Sequence, residues 1–164
     1  MKINRALYQV GKKYHLSEDV DLSSYELNKN TIREIKNAHV EVDVENYDDL
    51  FRVIVNLKSE VTLVSAYTLA DVPYVLKGNE EFDFTDDEEE ADNQSLFYEK
   101  NIIIDMDDYI FSLLVALIPN KIINKGEELP KGGKDYAVMS EDEYNKKKEN
   151  KVDPRWAALD DIEL

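Results

Sequence analysis

The most apolar run of the sequence lies between Ile102 and Pro119, in a chain that is otherwise crowded with charge. Its apolar residues recur at the spacing of three and four that places them on one face of a helix. These positions are Ile110, Leu113, Leu114, Leu117 and Ile118. Asp105 stands where a helix N-cap is expected, and Pro119 cannot continue a helix. The pattern therefore predicts a helix over Asp105–Ile118.

The predicted helix has two interpretations. Phe111 and Val115 extend its apolar surface to a second face, and a helix that is apolar on nearly all sides is usually packed inside a fold. A partly exposed helix that docks a partner is the alternative. The run is too short, and its start too acidic, for a membrane span of roughly 20 apolar residues.

Upstream of this helix, apolar and polar residues alternate with the period of two that is typical of half-buried strands. Four segments are predicted as strands on this basis: His39–Glu45, Leu50–Leu57, Val61–Ser65 and Pro73–Phe84. The polar residues Lys58–Glu60 predict a turn between the second and third strands. Pro73 is expected at the start or edge of its strand, and Gly78 is expected to bend it. Closely spaced strands joined by short turns predict an antiparallel meander.

The remaining segments carry weaker signals. Ile3–Lys13 is predicted as a short helix, Leu16–Leu22 as a weak strand and Asn28–Asn37 as one helical turn. Ser140 and Glu143 have the spacing of a capping box, which predicts a polar helix that ends near Asn150. Together the patterns predict one α+β domain over residues 1–164, with an antiparallel meander or partly open barrel packed against the central apolar helix. An irregular C-terminal segment is expected over residues 120–164.

Residues 80–92 contain nine acidic side chains and no lysine or arginine. Like charges repel and little apolar surface is available for burial, so the segment is predicted to be a solvated, mobile loop. A docking surface for a basic partner is one alternative. A specific metal site is another, but the segment lacks the ligand spacing and central glycine of a calcium loop.

Charge and composition narrow the function. The chain has 164 residues, a net charge of -16 and no cysteine, which excludes disulfides, thiolate zinc sites and cysteine nucleophiles. The negative charge disfavours tight binding to nucleic acid, which depends on cationic side chains. The N-terminus shows no apolar signal-peptide core, so a cytoplasmic protein is expected.

No catalytic constellation is visible. His15 and His39 stand apart, and neither lies in a local nucleophile signature. No dinucleotide-binding fingerprint occurs, and PKGGK at residues 130–134 lacks the spacing of a phosphate-binding loop. The sequence therefore predicts no catalytic residue, no cofactor and no metal.

A set of motifs resembles the YceD family of bacteria and plastids, and in particular its cysteine-free branch in Firmicutes. The motifs, in order, are SAYTLADVPY, IDMDDYIFSLLVALIPNKII, GEELPKGGKDY and EDEYNKKKENKVDPRWAAL. The most specific are the leucine-rich element at Leu113–Pro119 and DPRWAAL at Asp153–Leu159. Many relatives carry a C-x-x-C-L motif where this chain has Ser65, Thr68 and Leu69, so any zinc-like role does not carry over.

The resemblance implies a ribosome-assembly factor that is needed for accumulation of the large-subunit (23S) rRNA. A non-enzymatic factor that binds a ribosomal protein or a pre-ribosomal large subunit is favoured, and direct rRNA contact is left open. The alternative is a metal-dependent nuclease or processing enzyme acting on precursor rRNA, which needs clustered carboxylates on a basic surface.

Two groups of residues are candidates for partner contact: Asp153, Pro154, Arg155 and Trp156, and Lys146, Lys147 and Lys148. The first group also has a structural interpretation, in which Pro154 shapes a turn, Trp156 fills a groove and Arg155 pairs with an acid. The oligomeric state is not indicated by any pattern.

Overall fold

The computed structural model describes residues 1–47, 49–124 and 128–149. The chain divides into two compact units, the first formed by Met1–Ser65 and Leu69–Ile122 and the second by Ala66–Thr68 and Ile123–Leu164. The strands are β1 (Lys2–Asn4), β2 (Lys13–Asp19), β3 (Ile32–Asn46), β4 (Phe51–Val64), β5 (Asp71–Thr85), β6 (Phe97–Tyr98) and β7 (Ile103–Asp105). The α-helices are α1 (Glu88–Gln94), α2 (Asp107–Ala116) and α3 (Glu141–Glu149).

The first unit is built on an open, mixed sheet of five strands in the order β2-β3-β4-β5-β6. The first four strands are antiparallel neighbours, and β6 runs parallel to β5. β6 pairs with β5 only at Phe84 and Thr85, so most of the outer edge of β5 is not paired by β6. β1 and β7 form a separate antiparallel pair. The α+β class is confirmed, and the sheet is open and not a closed barrel.

The alternating apolar residues of the two long central strands, β3 and β4, face the core as the sequence predicts. Val40, Val42 and Val44 of β3 are fully buried, and so are the apolar residues that alternate along β4. The latter are Phe51, Val53, Val55 and Leu57. One face of each strand therefore forms the hydrophobic core.

The predicted turn at Lys58–Glu60 is wrong, because β4 continues through it and pairs with β3 and β5 along its length. Ser59 points inward and is buried. Its hydroxyl donates to the Asn37 carbonyl at 2.6 Å, which satisfies a polar group that would otherwise be costly to bury.

One prediction for the N-terminal part is also wrong, and a second is confirmed. Ile3–Lys13 holds no α-helix: Ile3 lies in β1, and Arg5–Leu7 is a short 3-10 turn. The single helical turn predicted within Asn28–Asn37 is present at its start, where the N–H groups of Thr31 and Ile32 both donate to the Asn28 carbonyl at 2.9 Å, and β3 begins at Ile32. The predicted weak strand corresponds to β2, displaced toward the N-terminus.

Helix α2 presents Ile110, Leu113 and Leu114 to the core. Its N-cap is Met106 and not Asp105, although the Asp105 carboxylate still accepts from the Asp107 N–H at 3.2 Å. The helix ends earlier than the predicted Ile118, with Leu117 as its C-cap.

Gly78 allows the end of α2 to approach the sheet. A Cβ atom at this position would lie 2.3 Å from a terminal carbon of Leu117. The register between β4 and β5 continues through Gly78 without a shift, so the predicted bend is replaced by a close approach of helix and strand.

The acidic segment 80–92 is not a loop. Its first part completes β5, where Phe82 and Phe84 are buried, and its second part forms α1. Asp87 caps α1 by accepting from the N–H groups of Glu89 and Glu90. The prediction of a loop is therefore wrong, because alternating aromatic residues and a helix cap outweigh the repulsion between like charges.

The second unit contains α3, which opens with the predicted capping box. The Glu143 N–H donates to the Ser140 hydroxyl at 3.2 Å, and the Ser140 N–H donates to the Glu143 carboxylate at 3.0 Å. Among the described residues, no helix is both long and apolar enough to cross a membrane.

Candidate functional site

The predicted contact residues fall in two different places. Lys146, Lys147 and Lys148 lie in the last turn of α3, where they are exposed and where the helix dipole favours cations. Asp153, Pro154, Arg155 and Trp156 lie outside the described residues. Their role in partner contact therefore stays a prediction.

Carboxylates are concentrated around α1. Glu88, Glu89 and Glu90 form its first turn, where the helix dipole stabilises negative charge. None of these three side chains is in an ion pair with a described residue. We call α1 together with its cap Asp87 and the neighbouring Asp86 the acidic cap. Glu88 and Glu89 are exposed, whereas Glu90 is half-buried and accepts from the Thr85 hydroxyl at 3.5 Å.

The acidic cap is held in place by buried contacts at both of its ends. Ala91 is buried on the inner side of α1, and the Asp87 N–H donates to the Thr85 hydroxyl at 3.1 Å. Ser95 ends the helix in a left-handed conformation with φ 58°. β6 then returns the chain to the sheet beside Phe84. The carboxylates therefore stand on a folded scaffold.

The solvent-facing side of β2 and β3 carries both histidines. His15 Nδ1 lies 2.9 Å from Asp43 Oδ1, and Lys13 bridges Asp43 and Glu45 at 3.3 Å each. The hydrogen bond with His15, followed by that from Lys13, lowers the pKa of the Asp43 carboxyl although partial desolvation opposes the shift. The hydrogen bond from Tyr47, followed by that from Lys13, lowers the pKa of the Glu45 carboxyl.

A second histidine joins β2 and β3 on the same face. His39 lies four residues before Asp43 along β3. His39 Nδ1 lies 2.7 Å from Asp19 Oδ1, and His39 Nε2 lies 3.2 Å from the Ser17 hydroxyl oxygen. The order serine, histidine, aspartate matches that of a nucleophilic triad. The Asp19 side chain is 83% exposed and that of His39 44%, so water screens the pair. We interpret the contacts as orienting His39 and tying β2 to β3.

Neither histidine contact is predictable from the local sequence pattern. Each depends on the register between β2 and β3, which places Asp43 opposite His15 and Asp19 opposite His39. The alternation of polar residues along His39–Glu45 indicates an exposed face, but it does not indicate which residues of β2 lie opposite.

Asp43→Asn should reduce the amount by which the free energy of unfolding falls on acidification. Because the folded-state pKa of Asp43 is lowered, its contribution is present above the unfolded pKa of about 3.9. That contribution is lost as the pH falls through the lower folded-state pKa. The measurement is the urea midpoint of wild type and variant over a range from neutral to strongly acidic pH. The two midpoints should differ at neutral pH and converge in acid. His15→Gln should reproduce part of this effect, and a difference that grows on acidification would contradict the assignment.

No group of three or more histidine, aspartate or glutamate side chains within the described ranges is arranged to hold a metal ion. The nuclease alternative therefore gains no candidate centre there and stays untested.

Comparison with known proteins identifies the family. The family model described as "Large ribosomal RNA subunit accumulation protein YceD" matches residues 53–163. The chain belongs to the YceD family. A relative of this YceD chain is the uncharacterized protein YlbN of Bacillus subtilis (strain 168), which is 29% identical over 167 residues, covering 95% of this chain and 92% of the relative. No solved structure matches the chain.

Some of the features described above lie within the residues that the YceD model matches, and others lie before them. It includes the acidic cap, α2, α3 and the sequence Asp153–Trp156, whereas both histidines precede residue 53. The histidine contacts thus lie outside the residues that the family model matches, while the acidic cap and α3 lie within them.

Proposed function

We propose that this YceD protein is a non-enzymatic assembly factor, needed for accumulation of the 23S rRNA, that works in the cytoplasm by binding a basic ribosomal protein or a pre-ribosomal large subunit. The observation that carries the proposal is membership of a family described by accumulation of the large ribosomal RNA subunit. The charge distribution supports the binding mode.

Electrostatic attraction favours a basic protein as the first partner. The net charge of -16 attracts a basic ribosomal protein from a distance and raises its rate of association. The same charge opposes tight binding to protein-free rRNA, because counterion release requires cationic side chains. In the acidic cap, Glu88 and Glu89 supply exposed carboxylates for such a partner on a helix that is already folded.

The C-terminal segment is proposed as a second contact. Lys146, Lys147 and Lys148 project from the last turn of α3, and Asp153–Trp156 follow within a few residues. In the proposed complex these residues meet the particle, while the acidic cap holds the basic protein.

Depletion of the protein tests the proposal. In cells that depend on it, the ratio of 23S to 16S rRNA should fall and free large subunits should decrease in sucrose gradients. Re-expression of the wild-type chain should restore both quantities. An unchanged rRNA ratio after complete depletion would overturn the proposed function. Accumulation of an unprocessed precursor, together with cleavage of that precursor by the purified chain, would support the nuclease alternative instead.

A further inference from the structure

A row of basic side chains crosses the solvent-facing side of the five-stranded sheet. The register places His39 of β3 opposite Lys58 of β4, and Lys58 opposite Lys77 of β5. Neighbouring strands lie about 4.8 Å apart, so the row spans roughly 10 Å. Both lysines are exposed and His39 is half-buried. We call His39, Lys58 and Lys77 the basic row.

The two lysines of the basic row have no carboxylate partner among the described residues. Elsewhere on the same face, Lys13 bridges two carboxylates and so does Arg52. Like charges directly opposite each other destabilise a sheet. Glu41 and Glu60 occupy diagonal positions, but neither lysine forms an ion pair with a described residue. In a chain with 36 acidic and 20 basic residues, two facing lysines without an ion pair are a local cost to the sheet.

The basic row borders a shallow depression of about 390 Å³. Asn56 and Asn79 form the next cross-strand pair of β4 and β5 and line the same depression. Their side-chain amides can donate hydrogen bonds to an anion. Glu41 also lines the depression and lies opposite Asn56, so an anion is favoured over β4 and β5 and away from β3.

His39 marks the end of the row that approaches β2. Its Nδ1 is held by Asp19 and its Nε2 contacts the Ser17 hydroxyl. These contacts fix the imidazole at the border of the depression, so the two lysines and the two asparagines supply the donors for a ligand.

We propose that Lys58 and Lys77 of the basic row, with Asn56 and Asn79, bind phosphates of an RNA backbone. The proposal rests on the proposed function, since it gives that factor its contact with rRNA. Lysine ammonium groups bind phosphate as mobile point charges. Apart from the His39 imidazole, which Asp19 and Ser17 already hold, the lining residues offer no ring on which a base could stack. The site is therefore inferred to contact the backbone and not to select a sequence.

The acidity of the rest of the chain sets the strength of this contact. A few cations on a protein of net charge -16 bind a polyanion weakly. The contact between the basic row and RNA therefore acts only after a basic ribosomal protein has brought this chain to the particle. At that stage the local concentration of rRNA is high, and a weak contact suffices to orient the chain.

The test is a titration of the full chain with a short fluorescent oligouridylate, followed by anisotropy at several salt concentrations. Lys58→Ala with Lys77→Ala should weaken binding severalfold. The slope of log affinity against log salt should fall by about 1.4, because two single-strand phosphate contacts contribute about 0.7 each. Lys12→Ala with Lys100→Ala removes the same charge from exposed positions elsewhere and should leave the slope nearly unchanged. Equal effects of the two double variants, or none in the first, would overturn the proposal.

Amide spectra of the isotope-labelled chain locate the contact and check folding. Oligouridylate should shift the side-chain amide signals of Asn56 and Asn79, and the Lys58/Lys77 double variant should keep dispersed spectra while losing these shifts. Shifts confined to Lys146–Lys148 would place the RNA on α3 and overturn the basic row as the site. Binding of inorganic phosphate without oligouridylate would also overturn it, by indicating a small-anion site. These outcomes leave the proposed function standing, because the rRNA ratio in depleted cells is measured independently.

Discussion

Replacing Phe84 with alanine should lower the free energy of unfolding by about 3–5 kcal/mol. Phe84 is fully buried in β5. Its ring packs edge-on against Tyr109 of α2 at 5.2 Å between centroids and lies 5.7 Å from the ring of Phe97 in β6. The substitution opens a cavity where the sheet, α2 and β6 meet. For a domain of ordinary stability, about 5–15 kcal/mol, this is a large fraction of the total.

Urea unfolding followed by tyrosine fluorescence or circular dichroism measures this loss. Phe97→Ala is the matched control, because Phe97 belongs to the same ring cluster but is 42% exposed. It should cost less than half as much, since a smaller part of its apolar surface is removed from the core. Equal losses in the two variants, or a loss below about 1 kcal/mol for Phe84→Ala, would contradict the central position assigned to Phe84.

Neutralising the acidic cap should weaken binding to basic ribosomal proteins by about tenfold or more at low salt. Each removed charge costs up to about 1 kcal/mol for a pair in contact in water. Glu88→Gln, Glu89→Gln and Glu90→Gln together remove the three carboxylates of the first turn of α1. The probe is the protein mixture stripped from purified large ribosomal subunits, and the measurement is the amount retained on the immobilised chain at increasing salt.

The matched control for the acidic cap removes three exposed carboxylates elsewhere: Glu18, Glu26 and Glu34. The net charge changes equally, so a general effect of charge would weaken binding in both triple variants. The proposal expects the larger loss in the acidic cap, and the two curves should approach each other as salt screens the interaction. A greater loss in the control would assign the binding surface to β2, β3 and the segment between them.

The sequence is sufficient to predict those elements whose pattern is local. The alternating valines of β3 and the capping box at Ser140 each lie within a few residues, and both are confirmed. The polar residues Lys58–Glu60 predict a turn, but Ser59 is buried within β4. The buried Ser59 hydroxyl donates a hydrogen bond to the Asn37 carbonyl on the adjacent strand. No local sequence pattern indicates that partner.

Long-range pairing explains the remaining differences. Ile3 belongs to a strand because it pairs with Ile104 of β7, about a hundred residues later in the sequence. The basic row arises from three strands whose register places His39, Lys58 and Lys77 side by side. The composition shows that the chain is acidic, but only the strand register shows that Lys58 and Lys77 lie side by side.

Among the described residues, no strand pairs most of the outer edge of β5, and this bears on how the protein behaves when it is concentrated. An unpaired edge of a long strand is a template for β-aggregation with another chain. Pro73 near the start of β5 has no N–H to offer to an incoming strand, and Lys77 and Glu81 place charges of both signs along it. Two identical edges that approach each other must desolvate these charges and lose ladder hydrogen bonds at the proline. The same strand that completes the core thus also resists fibrillar assembly.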